Sequence, residues 1–283
     1  MTQEASRRQV KGKAVRRELL PNQSPELLRE LHLLTREGNL NADALRKLKQ
    51  VNHLVGLLQP ALDDVFERYA DPVVVDAGSG NAYLGFVLYE LFFKPAGKGT
   101  LHCIESRPDL SERGQERAKR LGFDRLKFHT ATLKDATWPE RVNLLTALHA
   151  CDTATDDALI GAISHNADHV AVVPCCQAEV AQQLKDHKVE VKGPMKELFD
   201  HPMHRREFGS HLTNVIRALT LEAQGYSVTV TELTGWEHSL KNELILGKKV
   251  RKDNPQARER LDALLGESHV RPKLVRMLYP RAD

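Results

Sequence analysis

The stretch Val73-Val74-Val75-Asp76-Ala77-Gly78-Ser79-Gly80 decides how this chain is read. Three β-branched residues followed by a glycine-rich corner describe a buried strand that turns sharply. A helix-like run, Tyr83 to Phe93, comes next. Two glycines at the corner permit positive φ and let a ligand approach the backbone. A dinucleotide fingerprint starting at Gly78 would need Gly or Ala at position 83, where Tyr83 stands. No Gly-Lys-Ser/Thr follows, so a P-loop is excluded. Asp76 is unwelcome beside a pyrophosphate and suits a cationic ligand instead. S-adenosylmethionine, with a sulfonium, an α-ammonium and no phosphate, fits that loop.

The alternation continues outward from the loop. Thr100 to Glu105 reads as a second strand, Pro108 to Leu121 as its helix, and Leu126 to Thr130 as a short third strand. Val142 to Ala150 and His169 to Val173 are the fourth and fifth strands, with helices from about Thr155 to Ser164 and from Ala178 to Lys185. After a long amphipathic helix, His204 to Ala223, the runs Tyr226 to Leu233 and Glu243 to Leu246 lie close enough to pair antiparallel. This is an α/β pattern of right-handed βαβ units, giving a doubly wound, mostly parallel seven-stranded sheet covered on both faces. Before it come a helical extension (24–70), with Ser24 as N-cap and Pro25 at the first helical position, and a basic arm (1–23). The second helix of the extension runs from about Asn41 to Gln59, and Pro60 interrupts or restarts it. The expected division is therefore arm, extension, a domain over 71–250 and a charged tail over 251–283.

Composition bounds the function. At 283 residues, 41% hydrophobic and 28% charged, the chain builds a real core, and its longest apolar runs are far too short to span a bilayer. The first 20 residues are charged and lack the apolar centre of a signal peptide. Four cysteines are too few for a disulfide scaffold, which favours a reducing, cytoplasmic setting. Residues 1–17 hold six Lys/Arg against one Glu, and residues 248–283 hold ten against five acids. Basic ends on an acidic middle suit a polyanion such as RNA, and are equally compatible with solvated tails.

Candidate site residues follow from the strand ends. Glu105 closes the second strand 29 residues after Asp76, where a carboxylate accepts from a ribose diol, with Ser106 beside it. Asp76, Gly78, Ser79 and Gly80 supply the loop. After the third strand stands no acid for an adenine amino group, so Thr132 or the backbone takes that contact. The fourth strand ends His149-Ala150-Cys151-Asp152-Thr153-Ala154-Thr155-Asp156 and the fifth Pro174-Cys175-Cys176-Gln177. In an open parallel sheet these ends face the ligand, which makes His149, Asp152 and Cys175 the catalytic candidates and gives His149 a second role toward the cofactor. Asp152 or Thr153 also suits a helix N-cap, and Asp156 an ordering role in the loop. Zinc at Cys151, Cys175, Cys176 and His149 is disfavoured because no Cys-x-x-Cys spacing exists, so no metal is assigned. The absence of Asp/Asn-Pro-Pro-Tyr/Phe speaks against exocyclic-amine chemistry. Met203 with His201, His204, Arg205 and Arg206 forms either a substrate-side loop with cations for phosphate or a solvated surface loop.

The His-x-Cys-x-x-Ala-Thr-Asp and Pro-Cys-Cys motifs resemble the class I methyltransferase domain of the acceptor-stem tRNA 2′-O-methyltransferases and related methyltransferase-like proteins. Lys49-Gln50-Val51-Asn52-His53 and His238-Ser239-Leu240-Lys241-Asn242-Glu243 are similar to stretches of the same family. The resemblance covers roughly residues 45–248 and implies a Rossmann-like fold, S-adenosylmethionine as cofactor and RNA as partner. The Cys/His zinc modules of the tRNA enzymes have no counterpart at the ends of this chain, which weakens the case for tRNA itself. Besides an RNA methyltransferase, a methyltransferase for a protein or small molecule and a non-catalytic cofactor-binding module remain open.

Overall fold

A computed structural model of the chain describes residues 19–35, 42–148, 150–174, 177–186, 196–233 and 243–280. The helices and strands up to Thr137 form one compact unit and those from Trp138 on form a second. Together they supply a seven-stranded sheet of order β3-β2-β1-β4-β5-β7-β6, the doubly wound, mostly parallel arrangement that the alternating pattern leads one to expect.

In the first unit, helix α1 (Pro25–Glu30) starts as expected: the Ser24 hydroxyl accepts from the Leu27 N–H at 3.1 Å. The same serine is tied to Glu90, accepting nothing there but donating through its hydroxyl and, at 3.0 Å, through its backbone N–H. Burial pushes the Glu90 carboxyl above its usual range despite the bonds from Ser24. Helix α2 (Ala42–Arg68) passes unbroken through Pro60. The proline removes one N–H from the ladder, but Val55, Leu58 and Leu62 on either side are buried, and that packing carries the helix onward. The sequence reading of an interruption there is corrected accordingly. Residues 19–23 also differ from the expected arm, since Leu19 and Gln23 are buried and Gln23 donates to Asn52 at 3.2 Å. Residues 1–18 lie outside the described residues.

Strands β1 (Val73–Ala77), β2 (Thr100–Glu105) and β3 (Leu126–Thr130) pair in parallel, with Ala77 opposite Ile104 and Glu105 opposite Thr130. Helix α3 (Tyr83–Leu88) is prolonged by a π-helical turn (Tyr89–Phe93) and a last turn to Ala96. The wider turn buries Tyr89 against Phe123, with ring centroids 4.5 Å apart, and aims Glu90 at Ser24. Helix α4 (Pro108–Leu121) completes this unit.

The second unit contains β4 (Leu144–Ala147), α5 (Thr153–Ser164), β5 (His169–Val172), α6 (Glu179–Asp186), α7 (Glu197–Asp200), α8 (Pro202–Ala223), β6 (Tyr226–Glu232) and β7 (Glu243–Lys249). Strands β4 and β5 are parallel, whereas β7 runs antiparallel to both β5 and β6. The expected charged tail contains two further helices, α9 (Pro255–Ser268) and α10 (Lys273–Leu278). Leu261, Val270 and Val275 from this stretch enter a core with Val180, Leu184, Phe199, Leu212 and Ile216. Charge on the outer face of α9 masks this apolar side when only the net charge is read.

Candidate functional site

The β1–α3 corner has the geometry its glycines permit. Gly78 and Gly80 adopt φ of 69° and 57°, and Ala82, at φ 55°, completes the turn. The N–H groups of Gly78 and Ser79 both donate to the Ile104 carbonyl, at 2.9 and 3.0 Å, which pins the corner to the end of β2. A third glycine, Gly85, replaces the packing glycine that Tyr83 displaces. A Cβ there would stand 2.9 Å from the Cys103 sulfur, so helix α3 lies hard against β2. Asp76 is buried beneath the corner. The Cys103 thiol is driven up by its burial and by the neighbouring Asp76 carboxylate, which leaves it protonated and inert.

Glu105 faces the corner directly. Its Oε2 accepts from the Gly80 N–H at 2.7 Å, and Oε1 accepts from the Arg107 backbone N–H at 2.9 Å and its Nε at 3.2 Å. Burial alone would raise this carboxyl, but the N–H groups of Arg107 and Gly80 and the Arg107 charge outweigh it and hold the acid below its usual value. It is ionised at neutral pH. Ser106 is exposed, and its hydroxyl donates to Oε1 at 3.4 Å. Arg107 is the residue that sequence reasoning missed here. Position alone carries no signal, because the side chain is mostly exposed and acts only by folding back onto Glu105.

The residues present fit an adenosyl cofactor. An ionised carboxylate has about four lone-pair sites; Arg107 and Ser106 occupy Oε1 and Gly80 takes one site of Oε2, which leaves one on Oε2 for a ribose hydroxyl. Among the described residues the buried Ser79 hydroxyl has no nitrogen or oxygen partner, and it lies beside the Cys103 thiol. Thr132 is exposed at the end of β3 and donates to Asp135 at 2.6 Å. Thus an acid does stand near the third strand, three residues later than the reading by strand ends looked for it.

In the second unit, the β4–α5 loop is built around Asp152. Its backbone adopts φ 50° and ψ −123°, rare for a residue with a Cβ. Asp152 occupies the N-cap position of α5 but makes no capping bond. Its carboxylate accepts instead from the Ala178 N–H at 3.0 Å, beyond the end of β5. The Asp152 carbonyl accepts from Arg217 at 2.8 Å. Arg217 is 1% exposed and donates through Nε to Asp156 at 2.7 Å. Burial raises the Asp156 carboxyl even against that guanidinium. One buried ion pair thus ties the start of α5 and the Asp152 loop to α8, the ordering role expected of Asp156. Asn214 extends the network, with its carbonyl oxygen accepting from Arg217 and from Gln177. Arg217 left a trace in the sequence, as a charge on the apolar stripe of α8 between Leu212, Ile216 and Thr220. The catalytic candidates His149 and Cys175, together with Cys176, lie outside the described residues. Among the described residues no cluster of His, Cys, Asp or Glu suits a metal.

Residues 46–183 match the family model described as a methyltransferase domain. The sheet order and the glycine corner are compatible with that match. It is 30% identical over 234 residues to a human protein named glutathione S-transferase C-terminal domain-containing protein, covering 75% of this chain and 35% of that one. The mouse protein of the same name is 28% identical over 232 residues, 75% of this chain and 34% of that one. The chain thus spans about a third of the length of the curated relatives it matches. Among solved structures it is similar to an rRNA methylase from Streptococcus thermophilus, with TM-score 0.46 and 12% identity over 70% of this chain and 96% of the other. A precorrin-6y C5,15-methyltransferase from Geobacter metallireducens has TM-score 0.41 and 13% identity, over 69% and 88%.

Proposed function

We propose that this protein is an S-adenosylmethionine-dependent methyltransferase that modifies RNA in the cytoplasm. The observation that carries the reading is the closure of the ionised Glu105 onto the Gly80 N–H, at a corner with no phosphate signature. In this reading Asp76, Gly78, Ser79, Gly80, Glu105, Ser106 and Thr132 hold the cofactor, with His149 toward its methionine part. When bound, the cofactor supplies a methyl group on a sulfonium. The chain's task is then to place a nucleophile in line with that methyl, a job of orientation more than of proton chemistry. Asp152, His149 and Cys175 are assigned to the acceptor.

RNA is favoured by the basic ends of the chain and by the motifs resembling the acceptor-stem tRNA methyltransferases. The test is methyl transfer from labelled S-adenosylmethionine to total RNA and, separately, to protein extract. Label in RNA is the expected result. Label in protein alone, or in neither while the cofactor binds, would reject RNA as the acceptor.

A further inference from the structure

Helices α9 and α10 and the edge of α6 enclose an open cavity of about 820 Å3, within the roughly 300–1,000 Å3 of typical ligand sites. All of its lining but Gln183 comes from the C-terminal stretch beyond the residues that match the methyltransferase domain. Three arginines line it, Arg258, Arg271 and Arg276, against the single acid Asp262. Their environments differ. Arg258 pairs with Asp262 at 2.8 Å and lies 3.6 Å above the ring of Tyr279. Arg276 pairs with Glu179 at 2.7 Å and donates to the Arg271 carbonyl at 2.6 Å.

Arg271 is the telling one. Its guanidinium donates to the Tyr279 carbonyl and forms no ion pair among the described residues. Its backbone N–H and carbonyl are both held by the Gln183 amide, at 2.6 and 3.2 Å. The backbone of Arg271 is therefore fixed by Gln183 and its guanidinium by the Tyr279 carbonyl, yet the charge is not neutralised. A preorganised, unneutralised guanidinium beside a second one matches the oxygens of a phosphate. Beside it, Arg258 and Tyr279 present the stacked planar pair on which bases of single strands commonly rest. An acidic protein surface would be served by charge alone, and the planar pair tips the balance toward nucleic acid.

We infer that this cavity binds the backbone of single-stranded RNA, with a phosphate at Arg271 and Arg276 and a base against Arg258 and Tyr279. The inference rests on RNA being the acceptor and adds a gripping site remote in sequence from the glycine corner. The test uses the full chain with labelled poly(U), titrated at salt concentrations from about 50 to 200 mM. Each phosphate contact on a single strand adds about 0.7 to the slope of log affinity on log salt. Changing Arg271→Gln together with Arg276→Gln removes that one phosphate contact and should flatten the slope by about 0.7 and weaken binding on the order of tenfold at low salt. S-adenosylmethionine affinity should not change, and the Arg271→Lys, Arg276→Lys protein should regain most of the slope. If the glutamine variant misfolds, ultraviolet crosslinking of poly(U) to the wild-type chain replaces it, and a crosslinked peptide containing Tyr279 is expected. An unaltered slope, or crosslinks confined to other segments, would overturn the cavity while leaving RNA as the acceptor. No affinity of the wild-type chain for poly(U), with no label in RNA, would overturn both. Equal competition by poly-glutamate would make the cavity a general polyanion or protein site and would also overturn the proposal.

Discussion

Two loops at the candidate site hold backbone in the left-handed half of conformational space, and they do so by opposite means. At the β1–α3 corner, Gly78 and Gly80 take positive φ at no steric cost. At the β4–α5 loop, Asp152 takes φ 50° with a Cβ in the way, a conformation costing on the order of 1–3 kcal/mol that must be imposed from outside. Arg217 and the Ala178 N–H impose it, one on the carbonyl and the other on the carboxylate. The first loop carries its shape in its own composition. The second borrows its shape from a helix 65 residues further along the chain.

The largest effect should come from removing the borrowed support. Arg217→Met leaves Asp156 buried without its counter-charge, at a cost of about 3–5 kcal/mol. The double change Arg217→Met, Asp156→Leu should recover most of that stability, because an apolar pair fills the same space without a buried charge. It should not recover methyl transfer, since the bond to the Asp152 carbonyl is still missing. Denaturant midpoints and turnover measured side by side would decide the matter. Recovery of both would mean that the loop holds its shape without Arg217.

That contrast also explains what the sequence made legible. Val73-Val74-Val75 followed by two glycines signals a strand and a ligand corner locally, and Glu105 follows from strand alternation. Strands β2 and β3 and helix α4 fall where their periodicity places them. The contacts that hold the candidate site are different in kind. Arg107 on Glu105, Glu90 on Ser24 and Arg217 on Asp152 each join residues through side-chain conformations or over long separations. No local period encodes them. The π-helical turn at Tyr89–Phe93 was hidden for the same reason, since its cause is the packing of Tyr89 and Phe93 and not the composition of the run. Helices α9 and α10 were hidden by charge, because five excess cations suggested a solvated tail before their apolar side was counted.

A smaller effect is expected at the self-sufficient corner. Glu105→Ala should weaken S-adenosylmethionine binding by about 1–3 kcal/mol, through the loss of a charge-assisted bond to the ribose. Stability should change less than in the Arg217 variant, because the glycines and the two bonds to the Ile104 carbonyl still hold the corner. The pH dependence has a defined sign. The folded pKa of Glu105 lies below its ordinary 4.5, so its stabilising contribution is complete above 4.5 and disappears as pH falls through the folded value. Between pH 6 and 8 this residue should contribute no slope to cofactor affinity. Calorimetry on the folded variant that returned wild-type affinity would remove Glu105 from the cofactor site.

The smallest stability effect, and the sharpest distinction, belongs to Asp152 itself. Asp152→Gly relieves a left-handed strain but forfeits the bond to the Ala178 N–H and loosens the unfolded chain. These terms oppose one another, and the net change should stay within about 1 kcal/mol. Asp152→Asn keeps an acceptor for Ala178 at almost the same shape but cannot take up a proton. If Asp152 served as a general base, that change would cost about 10²–10⁴ in turnover. One of its oxygens already accepts from the Ala178 N–H, and under the proposed function we assign it to shaping the acceptor side. The asparagine variant should therefore keep most of the wild-type single-turnover rate. The glycine variant should lose rate with cofactor affinity intact, since what it lacks is a restraint and not a ligand. A collapse of turnover in the asparagine variant alone, with stability and cofactor binding unchanged, would make the carboxylate the base and the left-handed loop the means of presenting it.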